Sequence, residues 1–267
     1  MENNTKKYEE FRNQYPEFIY HSYEITDGKD SLTVTYHFEI PGLARFAPVW
    51  TFPKPKTAKR REQESWGAGS DKELDCSGSG ADPLLEKMIF SLGMTELVSY
   101  WKITCSPLVR VEAGGLTARQ IDWWKDLYFN GLGEFFYVNG IREAEISGFM
   151  DIRTEDGSLP DISAEDGSMQ SAAGTQAYRN PDSPAGVLVP IGGGKDSAVT
   201  LELLKEAGEN IVGYIINPRG ATLHTAEKAG LSKDRVICVR RTLDKNMLEL
   251  NKQGFLNGHT PFSAIVA

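Results

Sequence analysis

Polar and apolar residues alternate along two neighbouring segments near the beginning of the chain. Residues 18–25 and 31–40 are rich in β-branched and aromatic residues, and the turn pair Asp27-Gly28 separates them. This pattern predicts an antiparallel β-hairpin with one buried side and one solvent-facing side. The second strand shows the alternation most clearly, with apolar residues at Leu32, Val34, Tyr36 and Phe38.

Helical and extended patterns follow one another through the rest of the N-terminal half. Residues 45–52 and 101–111 have the composition of strands, whereas residues 83–100 and 120–129 carry apolar residues at helical spacing. We therefore expect a small α+β domain over residues 1–155. Two histidines fall on its predicted hairpin, and we interpret them as ordinary strand residues because neither has an acidic partner at ligand spacing: His21 and His37.

Two segments show neither pattern. Residues 54–82 are first charged and then rich in Gly and Ser, and residues 156–185 are rich in Gly, Ser, Asp and Pro. These compositions predict a mobile loop and a flexible linker, respectively. Residues 186–267 then form a second domain. Because the chain stops at Ala267 within an apolar helical pattern, we expect this domain to be C-terminally incomplete.

Strands and helices alternate regularly in the second domain. Apolar runs at 187–191, 211–216 and 235–239 predict strands, and helical patterns begin near residues 196 and 222. This order is typical of an α/β fold with a parallel sheet and crossover helices. Ligands of such sheets bind beyond the carboxyl ends of the strands.

A glycine-rich loop joins the first of these strands to its helix. Its sequence is Gly192-Gly193-Gly194-Lys195-Asp196-Ser197. Glycines leave backbone N–H groups uncovered, and a helix N-terminus attracts anions, so the loop favours phosphate binding. A Walker A loop needs a hydroxyl residue directly after Gly-Lys, and a dinucleotide loop needs glycine where Ser197 stands, so both fit poorly. The remaining alternative is a glycine-rich turn without a ligand.

The loop resembles the PP-loop of the ATP pyrophosphatase superfamily, whose pattern is Ser-Gly-Gly-x-Asp-Ser. The matching residues are Gly193, Gly194, Asp196 and Ser197, while Gly192 replaces the leading serine. Together with the segment Asn257-Gly258-His259-Thr260-Pro261, the chain resembles the UDP-N-acetylmuramoyl-L-alanyl-L-glutamate epimerase family of the MurL type. The resemblance implies a PP-loop (adenine nucleotide alpha hydrolase-like) parallel sheet preceded by a smaller α+β domain.

The resemblance also implies a reaction and its cofactors, ATP and Mg²⁺. ATP would adenylate the α-carboxylate of the terminal L-Glu of UDP-MurNAc-L-Ala-L-Glu, with release of pyrophosphate, and the residue would be inverted to D-Glu for peptidoglycan synthesis. We expect the nucleotide-binding residues to be Gly192, Gly193, Gly194, Lys195, Asp196, Ser197 and Asn217, the last because it stands at the end of the second strand of this domain. The implied catalytic residues are Lys195, Asp196 and His259. Three of these have other interpretations: Lys195 as a solvent-facing lysine, Asp196 as a helix cap, and His259 in capping or packing.

Neither metal ligands nor a proton-transfer base can be assigned from the sequence. Cysteine pairs serve as bases in some racemases, which raises Cys105 and Cys238 as candidates. Two other functions stay open: another PP-loop pyrophosphatase, either an amide ligase or a tRNA-modifying enzyme, and a non-catalytic ATP-binding fragment.

Composition and charge narrow the choice of partners. Lys and Arg number 29 against 37 Asp and Glu, giving a net charge of −8, so we expect no nucleic-acid partner. The polar N-terminus lacks a signal-peptide pattern, and no apolar run is long enough to span a membrane. The three cysteines are widely spaced and suggest a reduced, cytoplasmic protein. We infer no membrane association and no obligate protein partner.

Overall fold

The computed structural model describes residues 4–54, 83–141, 146–154 and 186–260. The chain divides into two units: the first combines Met1–Leu159 with Thr242–Ala267, and the second is Pro160–Arg241. The predicted mobile loop beyond Lys54, the predicted linker and the segment from Pro261 onward lie outside the described residues.

The first unit contains a mixed sheet and the helices around it. Its elements before residue 155 are α1 (Thr5–Gln14), β1 (Glu17–Asp27), β2 (Ser31–Ile40), β3 (Ala44–Phe46), β4 (Val49–Pro53), α2 (Pro83–Trp101), β5 (Leu108–Val111), α3 (Ala118–Gly131), α4 (Gly133–Val138), α5 (Ile146–Phe149) and β6 (Asp151–Thr154). The strand order is β6-β5-β1-β2-β4, with β3 also paired to β2. Strand β1 pairs antiparallel with β2 and parallel with β5.

The structure confirms the predicted hairpin and both predicted helices of this unit. The single strand predicted over residues 101–111 is wrong in its first half. There the chain continues in turns, in which Cys105 N–H donates to the carbonyl of Trp101 at 2.8 Å. The turn also lets the Trp101 indole N–H donate to the carbonyl of Ser106, at 2.8 Å. Strand β5 therefore begins only at Leu108.

Aromatic side chains fill the space between the hairpin and α2. Tyr20, Tyr36 and Phe38 are buried, and the Tyr36 hydroxyl donates to the carbonyl of Ile89 on α2 at 3.0 Å. The close approach of strand and helix explains Gly93, because a Cβ atom there would lie 2.1 Å from the Tyr20 hydroxyl oxygen. The alternation in β2 thus places its aromatic residues against α2.

The second unit follows the predicted alternation of strands and helices. Its elements are β7 (Val187–Pro190), α6 (Lys195–Glu206), β8 (Ile211–Ile216), α7 (Gly220–Lys228), a 3₁₀ turn (Lys233–Arg235) and β9 (Val236–Thr242). The three strands are parallel in the order β9-β8-β7. Both helices pack on the same face, because one buried cluster unites Val189 and Ile215 of the strands with Leu201 and Ala226 of the helices. The predicted α/β class is confirmed.

A last helix, α8 (Lys245–Lys252), and the residues after it group with the first unit rather than with the glycine loop. Phe255 stacks on Phe11 of α1 with 4.7 Å between ring centroids. Leu256 is buried, and its N–H donates to the carbonyl of Ile103 at 3.3 Å. Burial of these apolar side chains ties the segment to the first unit, although the sequence places it in the C-terminal domain.

None of the helices in the described ranges has both the length and the apolar character needed to cross a membrane. In the same ranges, no cluster of His, Cys, Asp or Glu is arranged to hold a metal ion.

Candidate functional site

The glycine loop leaves the carboxyl end of β7 and enters α6 at once. Ile191 is buried and donates its N–H to the carbonyl of Tyr214 on β8 at 2.8 Å, which fixes the start of the loop. Gly193 has a φ of +82°. A Cβ atom on Gly193 would lie 2.9 Å from the backbone nitrogen of Thr222 on α7. Only glycine fits this position without displacement of the loop.

The beginning of α6 is open to an incoming anion. Gly194 is the N-cap residue, and no side chain caps the helix there. The first N–H groups of a helix have no partner within it, and the helix dipole adds positive potential at the same end. The Ser197 hydroxyl accepts a hydrogen bond from the N–H of Gly192 at 2.9 Å, so it closes the loop on itself.

Two charged side chains stand at the entrance of the loop. The Lys195 ammonium lies 2.5 Å from Asp196 Oδ1, and the two side chains are 87% and 89% exposed. An exposed ion pair contributes little stability, so either group can turn to a ligand at small cost. The structure therefore places Gly192 to Gly194 in the turn after β7 and Lys195 to Ser197 in the first turn of α6.

Asn217 stands at the carboxyl edge of the same sheet, directly after β8. Its φ is +51°, and its side chain pairs with the backbone of Arg241, near the end of β9. The amide oxygen accepts from the N–H of Arg241 at 2.8 Å, and the amide nitrogen donates to the Arg241 carbonyl at 2.9 Å. Asn217 therefore joins two strand ends, and this contact orients its side chain.

His259 belongs to the first unit, whereas the glycine loop belongs to the second. Its side chain is 77% exposed, and Nε2 lies 3.9 Å from Glu134 Oε1. Asn257 begins the turn before it, where the Asn257 Oδ1 accepts from the N–H of Gly258 at 2.8 Å.

The surroundings of Cys105 and Cys238 do not favour either thiol as the proton-transfer base. Cys105 is fully buried, and this burial raises the pKa of its thiol far above the ordinary value of 9.0. Partial burial also raises the pKa of the Cys238 thiol, although Arg240 acts in the opposite direction. Proton abstraction needs a thiolate, so raised pKa values make both thiols poor bases.

His21 has two carboxylate neighbours that the sequence prediction missed. The register of β1 and β2 shifts between Tyr20 and Ser22, and this bulge holds His21. Its Nδ1 lies 2.6 Å from Glu112 Oε2, and its Nε2 lies 2.9 Å from Glu39 Oε2. The sequence shows no acidic residue at ligand spacing from His21, because its partners lie on other segments, 91 and 18 residues away. No local sequence signal indicates such pairs.

His21 also lines a cavity of about 330 Å³. Arg45 contributes to its wall and donates from Nε to Glu39 Oε2 at 2.9 Å. The His21 hydrogen bond is the main cause that lowers the pKa of the Glu39 carboxyl below its ordinary value of 4.5, and Arg45 contributes in the same direction.

The lowered pKa of Glu39 predicts that the free energy of unfolding depends on pH in the acidic range. The folded state favours the ionised form of Glu39. The contribution of this carboxylate to the free energy of unfolding is therefore fully present above its ordinary pKa, and it is lost as the pH falls through the lowered pKa of the folded state. We expect Glu39→Gln to unfold more easily than the wild type near pH 7, and this difference to shrink as the pH falls below the ordinary pKa of 4.5 and through the lowered pKa. Thermal unfolding across this range measures it.

The matched control for this prediction is Glu9→Gln, which removes an exposed carboxylate elsewhere in the first unit. A constant difference between Glu39→Gln and the wild type at all pH values would contradict the prediction.

Comparison with known proteins places the chain in a family. The family model of the MurL N-terminal domain matches residues 9–267. A protein of Xanthomonas oryzae pv. oryzae named UDP-N-acetyl-alpha-D-muramoyl-L-alanyl-L-glutamate epimerase is 30% identical over 168 residues, which cover 63% of this chain and 32% of that protein. A protein of Micromonospora sp. with the same name is 28% identical over 257 residues, which cover 93% of this chain and 47% of that protein.

A third protein of this name, from Salinispora tropica, is 32% identical over 112 residues, which cover 33% of this chain and 24% of that protein. No solved structure matches the chain. The matched regions span about half of the curated relatives or less. Because the family model covers nearly the whole chain, this protein belongs to the family of MurL N-terminal domains.

Proposed function

We propose that the chain carries the nucleotide-binding part of an ATP-dependent epimerase. Its substrate would be UDP-N-acetylmuramoyl-L-alanyl-L-glutamate, whose terminal L-Glu is converted to D-Glu for peptidoglycan synthesis. The proposed reaction is the one named for the relatives. The glycine loop supports the binding of a phosphate group. We also propose that the loop is a PP-loop and that the protein works in the cytoplasm.

The observation that carries the proposal is the fit of the loop to phosphate. Gly193 adopts a left-handed conformation in a space that a Cβ atom would fill, and Gly194 leaves the first turn of α6 uncapped. Backbone N–H groups in such a loop can donate together to phosphate oxygens. Asp196 is fully within reach of solvent and is the residue of the loop that could meet Mg²⁺ through its carboxylate.

The side chains of the loop have distinct proposed roles. Lys195 is free to leave Asp196 and to neutralise charge that develops on a phosphate. Ser197 maintains the turn through its bond with Gly192. The side chain of Asn217 bonds to the backbone of Arg241 and so holds the edge of the sheet in place. We assign Asn217 to the part of the site near the adenine or the ribose. We assign His259 to a phosphate of the UDP-linked substrate.

Activation of the substrate explains why an epimerase would use ATP. Removal of the α-proton beside a free carboxylate would place a second negative charge on the same group of atoms. ATP would supply an adenylyl group that removes the carboxylate charge, and pyrophosphate would leave. The α-proton can then be lost and returned on the opposite face, and hydrolysis would release AMP.

The proposal is tested by turnover in D₂O. The chain is incubated with ATP, Mg²⁺ and UDP-N-acetylmuramoyl-L-alanyl-L-glutamate, and AMP, pyrophosphate and the chirality and deuterium content of glutamate are measured. We expect D-Glu that carries α-deuterium, with AMP formed only when the substrate is present. Formation of AMP and pyrophosphate without change at glutamate would favour another PP-loop enzyme. An absence of AMP would overturn the catalytic proposal for this chain.

Substitution of Ser197 tests the loop itself. We expect Ser197→Ala to lower ATP-dependent turnover by about tenfold, because the variant loses the hydrogen bond from Gly192 and one hydroxyl near the phosphates. The matched control is Thr200→Ala, which removes an exposed hydroxyl one turn further along α6. Equal turnover rates in the two variants would count against the loop as the ATP site.

A further inference from the structure

The turn Asn257-Gly258-His259 is held in place by groups of the first unit. The Lys102 ammonium donates to the carbonyl of Gly258, and the Asn139 amide donates to the carbonyl of Asn257 at 2.9 Å. Consecutive carbonyls of an irregular segment thus have side-chain donors. We refer to Lys102 and Asn139 together as the turn clamp.

Both donors of the turn clamp are removed from solvent. Lys102 is 6% exposed and Asn139 is 5% exposed. A buried ammonium group loses its hydration and is tolerated only when acceptors replace the water. An apolar side chain of similar length would fill the same space without this cost. The Lys102 ammonium therefore needs hydrogen-bond acceptors, and the Gly258 carbonyl is one of them.

Asn139 is also fixed by its own surroundings. Its amide nitrogen donates to the carbonyl of Phe135 at 2.8 Å, and its amide oxygen accepts from the side chain of Asn4 at 3.1 Å. Gly258 lies against the Phe135 ring, where an added Cβ atom would be 3.0 Å from Cδ2. An added Cβ atom at this position would therefore be in tight contact with α4.

The turn clamp holds the two residues that directly precede His259. Leu256 is anchored before the turn by burial, whereas His259 after the turn is 77% exposed. A fixed backbone with a solvent-facing imidazole is the arrangement expected of a group that must meet a ligand with little loss of entropy.

We propose that Lys102 is a positioning residue for His259 and that it holds the imidazole in place for an anionic phosphate of the ligand. This inference deepens the proposed function and rests on it in one respect, the contact of His259 with phosphate. Lys102 acts through the backbone of Gly258 and does not touch the ligand.

The experiment compares Lys102→Met, which removes the ammonium group, with Lys102→Arg, which keeps a donor. The matched control is Ser106→Ala, because Ser106 is buried on the same segment and its side chain contacts Thr104. Amide hydrogen exchange of residues 256–260 is measured without ligand. We expect about tenfold faster exchange in Lys102→Met than in Ser106→Ala, with at least partial rescue in Lys102→Arg. Unchanged exchange in Lys102→Met would overturn the proposal.

A double-substitution cycle separates positioning from general stability. Turnover is measured for Lys102→Met, for His259→Gln and for both together, at a temperature at which every variant is folded. We expect either single change to lower kcat by a similar factor and the second change to add little. If the fall in kcat of the double variant equals the product of the two single falls, Lys102 and His259 act independently. Lys102 would then only stabilise the fold, and the proposal would be overturned. An inactive wild type would overturn the proposed function, and the exchange result would then decide whether Lys102 positions the turn.

Discussion

Replacement of Gly193 by alanine is expected to abolish ATP binding at the glycine loop and to destabilise the second unit by about 1–3 kcal/mol. Two causes act together. An L-residue is strained at a φ of +82°, and its Cβ atom would lie 2.9 Å from the nitrogen of Thr222 and 3.0 Å from the carbonyl carbon of Ala221. These neighbours are backbone atoms of α7, so the loop must move.

Gly194→Ala is the matched control for stability. Gly194 has φ −100° and ψ −178°, an extended conformation that any residue adopts, and its added Cβ atom would meet no atom within 4 Å. We expect this variant to unfold at the same denaturant concentration as the wild type. Titration calorimetry with ATP and Mg²⁺ measures binding, and urea unfolding measures stability. Wild-type ATP binding by Gly193→Ala would show that the nucleotide does not use this loop.

The glycine loop could be predicted because its determinants lie next to one another in the sequence. The apolar run of β7, the glycines and the periodic pattern of α6 are contiguous, and the structure places each as expected. The hairpin of β1 and β2 is local in the same sense, since its strands are separated by a short turn.

The missed features depend on contacts between distant segments. His21 meets Glu112 only because β5 pairs with β1, and the bulge that holds His21 leaves no pattern in the sequence. Gly258 indicates a turn in the sequence, but its close contact with Phe135 depends on α4. Lys102 falls in a segment that the sequence predicts as a strand, so its contact with Gly258 could not be anticipated.

Truncation of Leu201 is expected to cause a large loss of stability that is confined to the second unit. Leu201 is fully buried in the cluster that joins α6 to the sheet. Leu201→Ala removes buried apolar surface and leaves a cavity, which costs about 2–5 kcal/mol. Because α6 begins at the glycine loop, we also expect weaker ATP binding in this variant. Amide exchange in β7 and β8 measures the free energy of opening.

Leu203→Ala provides the control, since Leu203 lies on the same helix with 60% of its surface exposed and loses little on truncation. The five tryptophans all precede residue 125, so tryptophan fluorescence reports on the first unit alone. We expect Leu201→Ala to speed exchange in β7 and β8 while the fluorescence transition stays at the wild-type denaturant concentration. A fluorescence transition that shifts as far as the exchange would mean that the two units unfold as one cooperative body. Equal exchange rates in Leu201→Ala and Leu203→Ala would instead contradict the role of Leu201 as the apolar anchor of α6.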